Sequence, residues 1–246
     1  MPQAKTLDLQ HSIRTHTRPT QRSMQVAVMF GLLLEENSEQ QIIPPIQLTL
    51  SPGSLVFITG VSGGGKSTLL RMIAEALSQT EHAPDDPTDT PSPGLVWSDR
   101  LPALPDLALV DALAVPEVER DDSMDEAALE QVTRWLSLAG LNDAAVMLRR
   151  PSQLSEGQRH RLRLAQAFAV AERQPTSWSV LLADEFGSTL DRVTANALAR
   201  SVRRWVTKTG VCLVAATAHD DLLEALRPDV LVEVEPAGRC SVYPRL

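Results

Sequence analysis

Gly60, Val61, Ser62, Gly63, Gly64, Gly65, Lys66 and Ser67 fit the spacing G-x-x-x-x-G-K-[ST] without a gap. The chemistry open to those residues is the holding of a polyphosphate. Such an anion must be surrounded at close range by backbone N–H donors, and Cβ atoms would block both the approach and the positive-φ turns that aim the donors. Gly60, Gly63, Gly64 and Gly65 carry none. Lys66 is spaced to reach the outer phosphates and the Ser67 hydroxyl to ligate Mg²⁺, with Ser62 and Thr68 beside them. The plain alternative is a glycine-rich turn before an ordinary helix, and the Lys-Ser pair at its far end argues against it.

A loop of this kind works only between a strand that anchors it and a helix whose N-terminus faces the anion. Residues 55–59 (LVFIT) are a short apolar run of the sort buried in a parallel sheet. After the loop, Leu70, Ile73, Ala74 and Leu77 recur at i, i+3, i+4 and i+7, so a helix follows and directs its dipole at the phosphates. Both flanks are present, and the loop reads as a nucleotide site.

A chain of 246 residues with 43% apolar and 22% charged residues predicts one large α/β domain, or a domain with a subdomain. The formal charge of −8 excludes a protein whose whole surface binds nucleic acid. A local patch at Arg159, Arg161 and Arg163 stays open, with a solvated helix face as its plainer explanation. Cys212 and Cys240 give no disulfide framework and no metal spacing, which fits the reducing cytoplasm. No stretch approaches the ~20 apolar residues of a membrane span, so no membrane insertion is expected. Arg14, Arg18 and Arg22 before the apolar residues 26–34 imitate a signal peptide, but a small-residue cleavage site is missing and Glu35-Glu36 follows at once.

Taken in order, residues 1–23 are polar without periodicity and predict a mobile N-terminal arm before a domain over 24–246. Residues 24–34 and 46–50 read as two strands of a small sheet, separated by a polar loop ending in Pro44-Pro45. Residues 81–94 are rich in Pro and Asp and read as a linker. A helical subdomain over about 107–170 follows. In it, Ser123 and Glu126 have capping-box spacing for a helix to about 138, and Asn142 can cap a short helix to Met147. Strands are expected at 180–183, 211–216, 230–234 and 241–243, the last two joined through Ala237-Gly238. A helix from about 190 to 207 should stop at Gly210. Strands alternating with helices predict a mostly parallel sheet covered on both faces.

More chemistry-bearing residues lie in the second half. Ser155-Glu156-Gly157-Gln158 opens a helix with capping-box spacing, and that N-terminus could face an anion or simply be a capped helix. Asp184-Glu185 closes the strand at 180–183; on its own such a pair is a solvated turn, but the carboxyl end of a parallel strand is where these sheets bind ligands. His219 follows the strand at 211–216, where a surface histidine would be the ordinary reading.

GVSGGGKST, LSEGQ, LLADE and the late AHD occur in the order and near the separations of ATP-binding-cassette (ABC) ATPases, and over residues 24–235 the chain resembles that family. The resemblance implies an ABC-type P-loop NTPase fold: a mostly parallel sheet, a small antiparallel β part and a helical subdomain. It also implies ATP and Mg²⁺ as ligands and a head-to-tail homodimer around two ATP. In this sequence Ser155, Gly157 and Gln158 would meet the γ-phosphate held by the other copy. Asp184 would hold Mg²⁺ through water, Glu185 would polarise the attacking water, and His219 would contact the γ-phosphate. Asp191, in GSTLD, would connect the two sites. Glu156 replaces the commoner glycine of the signature.

Two family features depart. The aromatic ring that stacks on adenine is represented by Phe30, which reads equally as a core residue. The glutamine that couples to partners is replaced at Ser98 or Asp99. The wording of the second half is similar to soluble ABC-type ATPases found alone or fused to an acetyltransferase-like domain. The resemblance therefore implies a soluble ATPase driving or switching an unnamed protein partner. The rivals are the ATPase subunit of a membrane transporter and a slow nucleotide-dependent switch or scaffold in DNA metabolism or defence.

Overall fold

Residues 55–58 are apolar at every position because the strand they form is covered on both faces. In the computed structural model, which describes residues 4–16, 19–31, 37–79, 93–114, 126–174, 176, 178–235 and 239–244, β3 (Leu55–Gly60) lies inside a sheet of order β4-β5-β6-β3-β7-β8. Its partners β6 (Cys212–Ala216) and β7 (Val230–Glu235) run parallel to it, as do β4 (Gly94–Trp97) and β5 (Ser179–Ala183) to theirs. Only β8 (Arg239–Pro244) is antiparallel, against β7. The pleat sorts side chains by parity. Leu55, Phe57, Leu181, Ala183, Leu213 and Ala215 face one core, and Val56, Ile58, Val180, Leu182, Val214 and Ala216 face the other.

The first core is closed by α4 (Glu126–Leu138), α6 (Glu156–Arg173) and α7 (Arg192–Thr209), with α3 (Leu109–Ala112) and α5 (Ala144–Met147) at its margin. Phe168 packs against Trp205 with ring centroids 4.6 Å apart. Nearby, Glu172 accepts from Trp205 Nε1 and from Arg134 Nη2, joining α4, α6 and α7 at one carboxylate. The second core lies under α2 (Lys66–Gln79), whose Leu69, Leu70, Ile73 and Leu77 are buried as the helical spacing predicts. The start of β3 is pinned by Asp229, which accepts from Leu55 N and takes a two-pronged contact from Arg203.

The N-terminal third differs from expectation. Residues 5–16, read above as part of a mobile arm, form β1 (Lys5–His16), paired antiparallel with β2 (Asn37–Leu50) from Lys5↔Leu50 to His16↔Asn37. Leu7 and Leu9 alternate inward and are buried on the second core together with Ile43, Leu48 and Leu50. Residues 24–29, expected as a strand, belong instead to α1 (Gln21–Met29), because Thr20 and Ser23 cap its N-terminus reciprocally. Pro44-Pro45 lies within β2, where the pairing jumps from Leu9↔Ile46 to His11↔Ile43; proline is tolerated there because the ladder is already interrupted. Asp143, one residue after the expected Asn142, caps α5. The linker reading at 81–92, the cap at Ser123 and the turn at Ala237-Gly238 lie outside the described residues.

Candidate functional site

Three parallel strands end side by side: Ile58 pairs with Ala216, and Ala183 with Ala215. The segments that follow them therefore emerge at one carboxyl edge, and with them Lys66 and Ser67, Asp184 and Glu185, and His219. This is the edge at which open α/β sheets take ligands.

The phosphate loop begins where β3 meets β7. Gly60 has φ +142, and a Cβ there would lie 2.0 Å from the Val234 carbonyl oxygen. Gly63 has φ +76 but open space around it. Gly65 packs against Ile42 and Ile43 of β2, so the segment expected as a polar loop supports the phosphate loop. Gly60→Ala must then displace β7 and should cost several kcal/mol, as overpacking against backbone does, together with nucleotide binding. Gly63→Ala meets only the left-handed backbone penalty of about 1–2 kcal/mol. Thermal unfolding of the two variants tests this, and equal losses would count against it.

A lysine that must reach the outer phosphates would ordinarily stand as an exposed cation. The structure corrects this: Lys66 is 6% exposed, and its Nζ donates to Gly60 O at 2.8 Å and Val61 O at 2.9 Å, closing the loop on itself. The local signal, a lysine at the first residue of a helix, says nothing about which carbonyls it will find. Ser62 and Ser67 are exposed at the rim, and Thr68 accepts from Arg71 Nη2 within α2.

Asp184 Oδ1 accepts from Glu185 N at 3.0 Å, and Phe186 N donates to Ala216 O, which fastens the turn to β6. Glu185 is exposed with φ +49, one of two non-glycine residues in the left-handed region among those described. Such a backbone persists where the surroundings impose it, most often at functional turns. His219 receives the Arg192 Nη2 donor on Nδ1 at 2.8 Å, while Arg192 Nη1 pairs with Asp221 at 3.0 Å. Arg192 carried no signal in the sequence.

Ser155 caps α6, accepting from Gln158 N, and Gln158 Oε1 accepts from Ser155 N in return. Gly157 lies beside Thr189 O. The signature segment is thus set against the Gly187–Asp191 loop of the same chain. Asp191 caps α7 by accepting from Thr194 N at 3.0 Å, and hydrogen bonding from Thr194, its side chain first and its backbone second, holds the carboxyl below the usual range. Phe30, at the C-cap of α1, is 74% exposed, so the core alternative for it is excluded.

Ser98 and Asp99, expected where the coupling glutamine would stand, are also at this edge. Ser98 is buried and Asp99 exposed in the turn after β4, and both line a narrow crevice with His160, Arg163 and Asp184. Burial pushes the His160 imidazole below its ordinary value, against the opposing charge of Asp99. Among the described residues no group of three or more His, Cys, Asp or Glu could hold a metal by itself, and no helix is long and apolar enough to cross a membrane.

A family model described as ABC transporter matches residues 43–186. The lipoprotein-releasing system ATP-binding protein LolD of Bordetella pertussis is 30% identical over 210 residues, covering 75% of this chain and 81% of that protein. The methionine import ATP-binding protein MetN of Corynebacterium efficiens is 29% identical over 231 residues, covering 85% of this chain and 58% of that one. Among solved structures, the dimeric post-hydrolysis state of the ATP-binding cassette MJ0796 bound to ADP and Pi superposes with TM-score 0.60 at 18% identity, over 99% of this chain and all of that one.

Proposed function

Because the chain belongs to the ABC transporter family and is an ATPase of the ABC type, we propose that it is the ATP-hydrolysing subunit of a membrane transporter. In this reading it works as an ATP-dependent homodimer at the cytoplasmic face, with residues 107–170 as its helical subdomain.

The observation that carries the partner half of this reading is an open groove of about 560 Å³ between α2, β4 and the end of α6, lined by Arg71, Glu75, Trp97, Arg100 and Gln174. The Arg100 guanidinium stacks over the Trp97 ring at 3.9 Å, giving the groove a stiff wall that is both apolar and cationic. The turn that supplies Arg100 also supplies Ser98 and Asp99 to the crevice at Asp184. A cytoplasmic segment of a membrane protein seated in the groove would bear on a turn that lines the same crevice as Asp184. The names of the relatives, an ATP-binding protein of a releasing system and one of an import system, favour such a partner.

At the nucleotide, the backbone N–H groups of residues 60–68 and the Lys66 ammonium would hold the phosphates. Glu185 would accept a hydrogen bond from the water in line with the γ-phosphate, and His219 would donate to the γ-phosphate. Ser67 and Asp184 offer one hydroxyl and one carboxylate, a set that fits an ion bound chiefly through phosphate oxygens and water. Mg²⁺ held there would neutralise the charge of the β- and γ-phosphates. Phe30 is the ring offered to adenine. Ser155, Gly157 and Gln158 would close the γ-phosphate site of the second copy, with Asp191 between the two sites.

The experiment is affinity capture with the Glu185→Gln chain and ATP from detergent-solubilised membranes. A membrane protein should be retained, and Trp97→Ala/Arg100→Ala should lose it while still binding ATP. Retention by the groove variant, or no membrane protein at all, would remove the docking reading. The second outcome would favour the soluble ABC-type ATPase, which the Ser98-Asp99 substitution supports.

Ser155→Arg tests the composite site. A bulky cation at the tip of α6 should leave ATP binding to each monomer intact and cost the helix about 1 kcal/mol of capping. Light scattering should show the ATP-dependent dimer gone. A dimer of wild-type strength would sink the head-to-tail arrangement.

A further inference from the structure

The geometry points to Arg192 as the residue that positions His219, fixing its tautomer and tying it to the loop that carries Asp191. This rests on the reading of His219 as the γ-phosphate contact. A guanidinium only donates, so the 2.8 Å bond from Arg192 Nη2 requires His219 Nδ1 to be the acceptor. In the neutral ring the proton is then on Nε2, and the imidazole presents a donor on the side away from Arg192. A donor is what a phosphate oxygen needs; the other tautomer would present a lone pair to it.

The guanidinium is itself oriented. Its Nη1 pairs with Asp221 at 3.0 Å, two residues beyond His219, and His219 N donates to Thr217 Oγ1, with Thr217 fully buried. Arg192 is also the first residue of α7, directly after the capping Asp191. One side chain therefore spans from the Gly187–Asp191 loop to the histidine after β6. A shift of that loop on dimer closure would move the histidine with it. The contact is not a stability element: Arg192 and Asp221 are 49% and 41% exposed, and an ion pair so open to water contributes little.

The test uses the full chain labelled with ¹⁵N-histidine, the His219 signals being assigned by their loss in His219→Asn. Wild-type His219 should show a single Nε2–H tautomer by two-bond ¹⁵N–¹H correlation. Arg192→Ala should show a mixture with unchanged melting temperature, and its kcat should fall roughly 10-fold to 100-fold at little changed KM, the range seen when a metal-ligating imidazole loses the partner that orients it. Arg192→Lys, which keeps one donor, should recover part of both. A single Nε2–H tautomer in Arg192→Ala overturns the inference whatever the rate. A mixed tautomer with wild-type kcat overturns the reading of His219 as the phosphate contact, and the positioning role with it.

Discussion

Glu185→Gln should bind Mg-ATP as the wild type does and hydrolyse it about 10²–10⁴ times more slowly, the loss typical of removing a general base. The substitution keeps the length and hydrogen-bonding capacity of the side chain and removes its charge. It also keeps the left-handed backbone at φ +49, where Glu185 N donates to the Asp184 carboxylate. A non-glycine residue held there costs about 1–2 kcal/mol, and the turn retains it although the side chain is exposed and contributes nothing to either core. The variant should accumulate as an ATP-bound dimer. Asp184→Asn should differ, weakening nucleotide and Mg²⁺ handling together. Steady-state rate and dimer fraction for both variants separate the two roles, and wild-type turnover in Glu185→Gln would place the base elsewhere.

Lys66→Ala should weaken ATP binding severely. Truncating one side of a buried, hydrogen-bonded charge contact costs about 2–5 kcal/mol, which is roughly 30-fold to several thousand-fold in Kd. Two effects combine here. The phosphates lose their cation, and the loop loses the two bonds from Nζ to Gly60 O and Val61 O that hold it closed. The freed carbonyls lie at a half-exposed rim where water can replace the ammonium, so the melting temperature should change little. Isothermal titration with ATP checks the first expectation and thermal unfolding the second. Unchanged affinity would remove the assignment of this loop, and a collapsed melting temperature would make Lys66 a structural residue instead.

The features legible in the sequence are those whose signals are local. The phosphate loop, the strand before it, α2, the capping of α6 by Ser155 and Gln158, and the stop of α7 at Gly210 each depend on residues within a few positions of one another. Spacing along the chain is then spacing in space. The order of LSEGQ, LLADE and AHD after that loop was enough to reach the ABC fold. Features that depend on partners far apart in the chain emerge only from the fold. The alternation of Leu7 and Leu9 is too short to declare a strand until β2, more than thirty residues later, supplies the ladder and the second core supplies the burial. Gly60 is irreplaceable because of Val234, and His219 is oriented because of Arg192. A residue's type carries no information about which distant backbone or side chain will come within 3 Å of it; folding sets that distance, and at this site the distance sets the chemistry.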